Sequence, residues 1–498
     1  MKNGKMPRTS FREYTEILEQ YGDLVTVDEE VDWNLEMGAM IRCAYEKPTP
    51  APLFTNIKDS KSGFRVLGAP VGLCPNNEHP FLRIALSLSL GLPPESGILE
   101  LVEAWSHLPE VTPIPPKEVA SAPCKENKCL GDEVDLMSLP VPYLHVGDGG
   151  RYINTYGILI VQSPDGSWVN WSITRVMLHD KRTMAGVIVP SQHIGKIYEQ
   201  WKALGQSMPF ALCLGVDPGI AMIAGYPLPD GANEADLLGG WYGQPLEVVR
   251  CETHHLLVPA SSEIVIEGVV SLEETVPEGP MGEYAGYTWV GHLKDIPCFH
   301  VQAMTYRNDP IMPVVAAGTP PEENHTNWGV AIAASIQHEL RRHQLPVQSC
   351  FIPFESAVHW LVVTVDPSAS YAESQALAQK IGEVVFACRG GSYIPKVIVV
   401  NNDIDPSCID QVVWALATRS HPDKVIQFPN TQVLPLVAYL DQKEKKQAST
   451  TKVVYNCLSS DEWPRGYAPL QASFSGYPEE MQQRVHDLFE KLCKKEVQ

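Results

Sequence analysis

The 498-residue sequence has no CxxC pair among its twelve cysteines, no uninterrupted apolar run long enough to span a bilayer, and too few basic residues to balance its acids. The cysteines (Cys43, Cys74, Cys124, Cys129, Cys213, Cys251, Cys298, Cys350, Cys388, Cys408, Cys457, Cys493) are scattered without zinc-ribbon spacing. They read as reduced thiols of a cytosolic protein, not as a disulfide framework or a structural zinc site. The opening MKNGKMPRTSFREY holds no apolar h-region, which predicts no secretory leader. With 38 Lys plus Arg against 59 Asp plus Glu, the formal charge is -21. That argues against nucleic acid or an anionic membrane as the main partner, and an anionic substrate must meet a local positive island. Also missing are a GxxxxGKS/T phosphate loop, a GxGxxG after a strand, HExxH and a GxSxG elbow, which weakens nucleotide, zinc-protease and serine-hydrolase readings.

The chain exceeds what one hydrophobic core usually serves, so two domains or more are expected. Ser10-Phe-Arg-Glu13 is a capping box that starts a helix ending at Gly22; a strand Leu24 to Val27 and a second helix from near Asn34 to before Pro48 follow. From Tyr152 the texture turns to strands: TYGILIVQ, a turn at 163–166, SWVNWSITRVMLHD, then EIVIEGVVSL (263–272) and CFHVQAMTYR (298–307). Residues near 120 to 310 therefore form one sheet or barrel unit. Between about 330 and 440 helix and strand alternate, which predicts a separate α/β unit. QKEKKQAST (442–450) reads as a charged surface stretch. Pro478 opens a terminal helix whose Met481, Val485, Leu488, Phe489 and Leu492 make one apolar stripe that must dock, on its own domain or on a second subunit.

NWSITR (170–175) sets Asn170 and Arg175 among apolar neighbours, where an unpaired guanidinium is costly, so Arg175 calls for a carboxylate. Strand alternation points the two to opposite faces; sharing a site requires a bulge or the strand's end. PSQHIG presents His193 in a loop, and PLPDGANEADLLGG places Glu234 beyond a Pro/Gly turn, where a helix first turn is the plain alternative. One amide oxygen, one imidazole and one carboxylate together suit Mn²⁺ or Mg²⁺, with water and phosphate oxygens completing the shell. ETVPEGPMGEYAGY (274–287) holds Glu278 and Glu283 where proline and glycine forbid a regular helix. A solvated turn and a catalytic pair both remain open from these residues alone.

NWSITR, VPSQHIG, PLPDGANEA and ETVPEGPMGEYAGY, in this order and at these separations, resemble the site segments of the UbiD family of (de)carboxylases, including its ferulic acid decarboxylase branch. The similarity runs from the FREYTEIL helix through APCKEN, LPVPYLHVGDGGRYI and WALATRSHP to the terminal helix. The resemblance implies an α+β multidomain fold. Residues 1–310 would bind prenylated FMN, a helical and loop part (about 1–120) leading into a split β-barrel (about 120–310). Residues 311–330 would be a linker, 331–440 an α/β oligomerisation domain, and 441–498 the charged stretch and terminal amphipathic helix. It further implies a reversible, non-oxidative decarboxylation of an aromatic, heteroaromatic or α,β-unsaturated acid, a cofactor supplied by a separate flavin prenyltransferase, and a homodimer or higher homo-oligomer.

By the same resemblance Asn170, His193 and Glu234 hold a divalent metal (Mn²⁺ or Mg²⁺) on the flavin phosphate. A potassium ion sits nearby, with the backbone around Trp171 and Tyr226 as candidate ligands. Trp171, Ser172, Ile173, Thr174, Arg175 and Gln192 line the flavin, and Arg389, in CRGGSY, falls where relatives have a basic cofactor contact. Glu278, Arg175 and Glu283 make a Glu-Arg-Glu network: Arg175 holds the substrate carboxylate or keeps Glu278 ionised, and Glu283 delivers the proton that replaces CO₂. TPPEENHTNWG (319–329) resembles members acting on furan, pyrrole or indole carboxylates, with Asn324 or His325 at a ring heteroatom and Trp328 walling the pocket; capping of the following helix by NHT is the alternative. Cinnamic, acrylic or hydroxybenzoic acids are the other substrate reading. A metal-dependent hydrolase or a glycoside hydrolase would use some of the same acids, and a cofactor-free scaffold none, but these leave Arg175 and the aligned segments without a role.

Overall fold

The computed structural model describes residues 10–88, 92–289, 291, 294–366, 370–458 and 472–495. The opening MKNGKMPRT and residues 459–471 of the segment read as a charged tail lie outside them. Ser10 accepts from the Glu13 backbone N–H while Glu13 reaches back to Ser10, so the first helix, Phe11–Gln20, starts at the expected capping box. The second helix is Glu36–Glu46. A four-stranded sheet orders Leu24–Val27, Ala51–Phe54, Arg65–Gly68 and Ile311–Val314, so the last strand, after the β-rich region, returns to close the N-terminal layer.

The β-rich region is a nine-stranded, mainly antiparallel half-barrel. Its order is Tyr152–Asn154, Val176–Leu178, Thr183–Gly186, Lys294–Tyr306, Ile264–Glu278, Met208–Leu214, Ile158–Gln162 and Val169–Ser172, with Asn127–Leu130 joined to Lys294–Tyr306. The run SWVNWSITRVMLHD is not one strand. Pairing with Ile158–Gln162 ends at Ser172, residues 173–175 leave the ladder, and Val176–Leu178 pairs elsewhere. This break frees Arg175 from the alternation that would set it on the face opposite Asn170.

The C-terminal sheet orders Val347–Phe351, Trp360–Val365, Lys396–Asn401, Ser449–Cys457 and Ile426–Gln432, parallel at its centre. Tyr371–Ala387 covers it. The sequence around 442–450 is not merely a charged surface stretch: Asp441 caps a helix, Gln442–Gln447, and Ser449 opens the strand Ser449–Cys457, in which Thr450, Lys452, Val454 and Cys457 are buried. One buried apolar cluster runs from Ile158, Ile160 and Trp171 through the helix Val330–Arg342 to Val363, Val397 and Val399, so half-barrel and α/β unit share packing. Among the described residues nothing covers the apolar stripe of the terminal helix Glu479–Lys495, for Met481, Leu488, Phe489 and Leu492 remain about half exposed.

The loop after the strand Ile264–Glu278 is fixed by close backbone approach. Gly279 sits at φ 83°, in the left-handed region that favours glycine. Gly149 donates its N–H to Pro280 O at 2.7 Å, and a Cβ on Gly149 would lie 1.8 Å from the Gly279 oxygen. Asp148 receives the Gly282 N–H at 2.9 Å. Gly149→Ala should therefore displace the 279–286 loop while leaving the sheets intact: limited proteolysis would cut faster within the loop, with far-ultraviolet circular dichroism unchanged. An unaltered cleavage rate would mean the turn at 147–150 does not hold it.

Candidate active site

Asn170 lies on the edge strand Val169–Ser172, His193 opens the helix His193–Ala203, and Glu234 opens the helix Glu234–Tyr242. His193 is thus on a helix first turn, not in a loop, and Glu234 is where the plain reading put it. All three are buried. Glu234 Oε1 stands 3.0 Å from Asn170 Nδ2 and 3.8 Å from His193 Nδ1, and Asn170 Nδ2 is 3.4 Å from that same nitrogen. Glu234 Oε2 accepts the Trp171 N–H at 2.9 Å. Asn170 Oδ1, by contrast, is buried without a partner. Which end of an amide is oxygen is settled only by its hydrogen bonds. Turning this one over would put Oδ1 beside Glu234 Oε1 and His193 Nδ1, three acceptors facing one another, an arrangement that a hard divalent cation satisfies and that no protein donor here does. The residues present fit the metal.

Further buried polar atoms without partners lie nearby in the chain: Trp171 Nε1, Ser172 Oγ, Tyr226 OH and Asn327 Oδ1. Each costs about 1–3 kcal/mol if left so, which suits a polar ligand and not a dry core. Thr174 is spoken for, its hydroxyl donating to Val187 O at 2.7 Å and its carbonyl accepting from Asn154. Ile173 lies in the same stretch outside the ladder, Gln192 is the half-buried N-cap of the His193 helix, and the Tyr226 carbonyl accepts the Leu228 N–H. Arg389 reaches this region from the C-terminal unit and donates from Nη1 to Asp230 Oδ1 at 2.9 Å.

The second cluster forms where residues 173–175 leave the sheet. Arg175 donates from Nε to Glu278 Oε1 at 2.9 Å and from Nη2 to Glu278 Oε2 at 3.0 Å, and its Nη1 bonds Glu283 Oε1. Tyr152 OH adds a bond to Glu278 Oε1 at 3.0 Å. Burial works against the guanidinium, but the Glu283 and Glu278 carboxylates outweigh it and push its pKa up, so Arg175 stays charged. Both oxygens of Glu278 are engaged, whereas Glu283 commits one. Glu278 is buried and Glu283 keeps 21% of its side chain exposed, leaving Oε2 free to meet a substrate.

Tyr284, beside Glu283, ties this loop to the C-terminal unit. Its ring packs edge-on against Trp328 at 5.5 Å, near His359, and Trp328 in turn packs on Tyr393 at 4.8 Å. Asn324–Gly329 is a single π-helical turn before Val330–Arg342. Asn324 does not cap that helix; its Nδ2 donates to Glu322 Oε1 and Oε2 at 3.1 and 3.0 Å. His325 is not available to a ring heteroatom, because it is buried with Nδ1 accepting the Glu322 N–H at 3.0 Å and Nε2 donating to Tyr284 O at 3.1 Å. Two other groups of metal-ligating side chains fit an ion less well. In Cys251, His254 and Glu267 the carboxylate is spent on Lys125 and on residues 252 and 253, and in Glu274, Cys298 and His300 the imidazole turns a different nitrogen to each neighbour.

Three domain families match along the chain: the 3-octaprenyl-4-hydroxybenzoate carboxy-lyase N-terminal domain at 15–105, the Rift-related domain at 117–320 and the C-terminal domain at 325–457. The chain belongs to the UbiD family. Among its UbiD relatives, pyrrole-2-carboxylic acid decarboxylase of Pseudomonas aeruginosa is 46% identical over 483 residues, covering 96% of this chain and 97% of the relative. Ferulic acid decarboxylase 1 of Saccharomyces cerevisiae is 37% identical over 492 residues, 97% of each. Among solved structures, the UbiD-class enzyme HmfF of Pelotomaculum thermopropionicum in complex with FMN superposes with a TM-score of 0.77 at 26% identity, covering 94% of this chain and 99% of that one. The fold alone is shared with the closed form of Sedimentibacter hydroxybenzoicus vanillic acid decarboxylase, TM-score 0.81 at 24% identity over 99% of this chain and 100% of that one. This UbiD member is a carboxy-lyase that decarboxylates an aromatic-type acid with the family's prenylated flavin. Among the described residues no helix is long and apolar enough to cross a membrane.

Sequence reasoning missed Tyr152, Asp148, Asp230 and Glu322. Their signals were present only as neighbours of motifs, and nothing in spacing says that Tyr152 and Glu278, 126 positions apart, meet. Glu322 is wholly buried, and burial pushes its carboxyl up to about 8, while burial pushes His325 down to about 4. A carboxyl raised from 4.5 to about 8 on folding contributes its stability at pH below 4.5 and loses it as pH climbs through 8. A histidine lowered from 6.5 to about 4 loses its contribution as pH falls through that span. Above the ordinary histidine range only Glu322 of the two acts, so melting temperature should fall between pH 6.5 and 8.5, and Glu322→Gln should flatten that fall. Parallel declines in both proteins would place its origin elsewhere.

Proposed function

We propose that this UbiD enzyme decarboxylates, reversibly and without net oxidation, a five-membered heteroaromatic acid bearing a ring N–H, of which pyrrole-2-carboxylate is the type. We also read Asn170, His193 and Glu234 as ligands of Mn²⁺ or Mg²⁺ on the flavin phosphate, with K⁺ near the backbone of Trp171 and Tyr226. Residues 1–310 form the flavin-binding domain and 331–440 the oligomerisation domain of a homodimer or larger assembly. When bound, prenylated FMN supplies the electron sink that loss of CO₂ from an sp² carbon requires. Ser172, Ile173, Thr174 and Gln192 line it, and Arg389 supports the metal end.

The chain's own residues divide the remaining work. Arg175 uses three of its five N–H groups on the two glutamates and offers the others to the substrate carboxylate. Glu278, with both oxygens engaged, anchors Arg175 and not the proton. Glu283 gives its proton to the ring carbon that CO₂ leaves and takes it back in the carboxylation direction. The observation that carries the assignment is the asymmetry of the pair: one acid saturated and buried, the other with a free, partly exposed oxygen.

For the substrate, support comes from Asn324 and from the pyrrole-2-carboxylic acid decarboxylase at 46% identity. Glu322 takes the Asn324 backbone N–H at 3.0 Å and lies 3.1 and 3.0 Å from Asn324 Nδ2, and we read the amide with its nitrogen turned to that carboxyl. Oδ1 is then the atom left for a ligand, and an acceptor selects a ring N–H over a furan oxygen. Trp328 and Tyr284 wall the ring.

Enzyme co-produced with a flavin prenyltransferase should catalyse solvent-deuterium exchange into pyrrole faster than into furan. Glu283→Gln should keep flavin absorbance and metal but lower turnover by about 10²-fold or more, the usual worth of a positioned proton donor; normal turnover would remove Glu283 from the chemistry. Asn324→Leu should cut kcat/KM for pyrrole-2-carboxylate by about 10- to 100-fold, as loss of one buried hydrogen bond predicts, with furan-2-carboxylate little changed. Activity confined to cinnamic-type acids would overturn the substrate reading and leave the proton donor standing.

A further inference from the structure

Asp230 has no part in the roles above, yet three charged or titratable groups meet on it. His193 presents Nε2 at 3.2 Å from Asp230 Oδ1, Arg389 Nη1 lies 2.9 Å from the same oxygen, and Lys196 Nζ bonds Oδ2. The other nitrogen of the imidazole, Nδ1, faces Asn170 and Glu234. Asp230 Oδ1 and Glu234 Oε1 thus lie off opposite edges of one ring, at 3.2 and 3.8 Å, and Lys196 sits one helical turn beyond His193 on the same face.

A neutral imidazole carries one proton, and the two ring positions are not equivalent here. With the proton on Nε2 the N–H lies beside the Asp230 carboxylate, 3.2 Å from Oδ1 but off the line of a formed hydrogen bond, and the Nδ1 lone pair stays between Asn170 and Glu234. With the proton on Nδ1, the N–H occupies the space where a cation belongs, and the Nε2 lone pair meets a carboxylate oxygen at 3.2 Å, which is repulsive. We propose that Asp230 is the positioning residue of the metal centre: its carboxylate fixes the tautomer and ring orientation of His193, and Lys196 and Arg389 hold that carboxylate in place. The inference rests on the metal reading given above. It also gives Arg389 a different route to the cofactor, acting from the C-terminal unit through Asp230 and His193 on the metal. A carboxylate behind a ligating histidine makes the ring a better donor and removes the entropy of ring rotation.

Asp230 keeps 51% of its side chain exposed, so its ion pairs contribute little to folding, and its substitution separates a metal role from a structural one. The test is titration of the metal-free protein with Mn²⁺, following free Mn²⁺ by electron paramagnetic resonance, for the wild type, Asp230→Asn, Asp230→Ala, Lys196→Met and Arg389→Met, with melting temperatures measured alongside. Asp230→Ala should weaken Mn²⁺ binding by about 10- to 100-fold, the range seen when such outer partners are removed. Asp230→Asn should lose less, because its amide oxygen still faces Nε2 with a partial negative charge, and each cation variant should show a smaller loss in the same direction. Melting temperatures should stay close to that of the wild type. Mn²⁺ affinity within twofold of wild type in Asp230→Ala would overturn the inference while leaving the metal site intact; a wild-type protein that takes up no Mn²⁺ would instead remove the metal reading itself.

Discussion

The bridge that Arg175 makes between Glu278 and Glu283 is the constraint from which the rest of the site follows. A guanidinium taken out of water is tolerated only where carboxylates meet it in good geometry. Those carboxylates lie more than a hundred positions away, one at the end of a long strand and one in the loop beyond it. To bring them together the edge strand has to stop at Ser172, the long strand has to reach Glu278, and the loop has to turn back at once. The break at 173–175, the left-handed Gly279 and the backbone contact with Gly149 all serve that closure. The same break separates Asn170, still in the ladder, from Arg175, outside it, so the candidate metal end and the acid–base end flank a single irregularity in one sheet.

The two ends differ in kind. Around Asn170, His193 and Glu234 the chain gathers acceptors and leaves buried polar atoms unpaired, an arrangement that makes sense only with a polar ligand between them. Around Arg175 the hydrogen bonds are already made within the protein, and only one carboxyl oxygen is left over. On the proposed reading, one set of residues holds the cofactor and another handles the proton.

The C-terminal unit contributes more than packing. Tyr284 and Trp328 meet across the boundary, His325 pins the Tyr284 carbonyl, and Arg389 reaches back toward the turn before Glu234. Residues from both halves of the chain therefore meet beside Glu283, and a shift of either half would be felt there. His325 illustrates how a polar residue in a suggestive motif is consumed by structure: both nitrogens are used to hold a loop.

The sequence by itself determined the local elements: the capping box at Ser10, the helix first turn at Glu234, the alternation of strand and helix after 330, and the segments that mark the UbiD family. These rest on short-range rules of capping, periodicity and backbone restriction, which neighbouring residues satisfy without the rest of the chain. Tertiary structure alone decided that 442–457 is helix and strand, that no described residue covers the terminal apolar stripe, that Glu278 is saturated while Glu283 is not, and that Asp230 sits behind His193. Those facts depend on which distant groups compete for the same hydrogen bonds and the same buried space, and spacing along a chain carries no record of that competition.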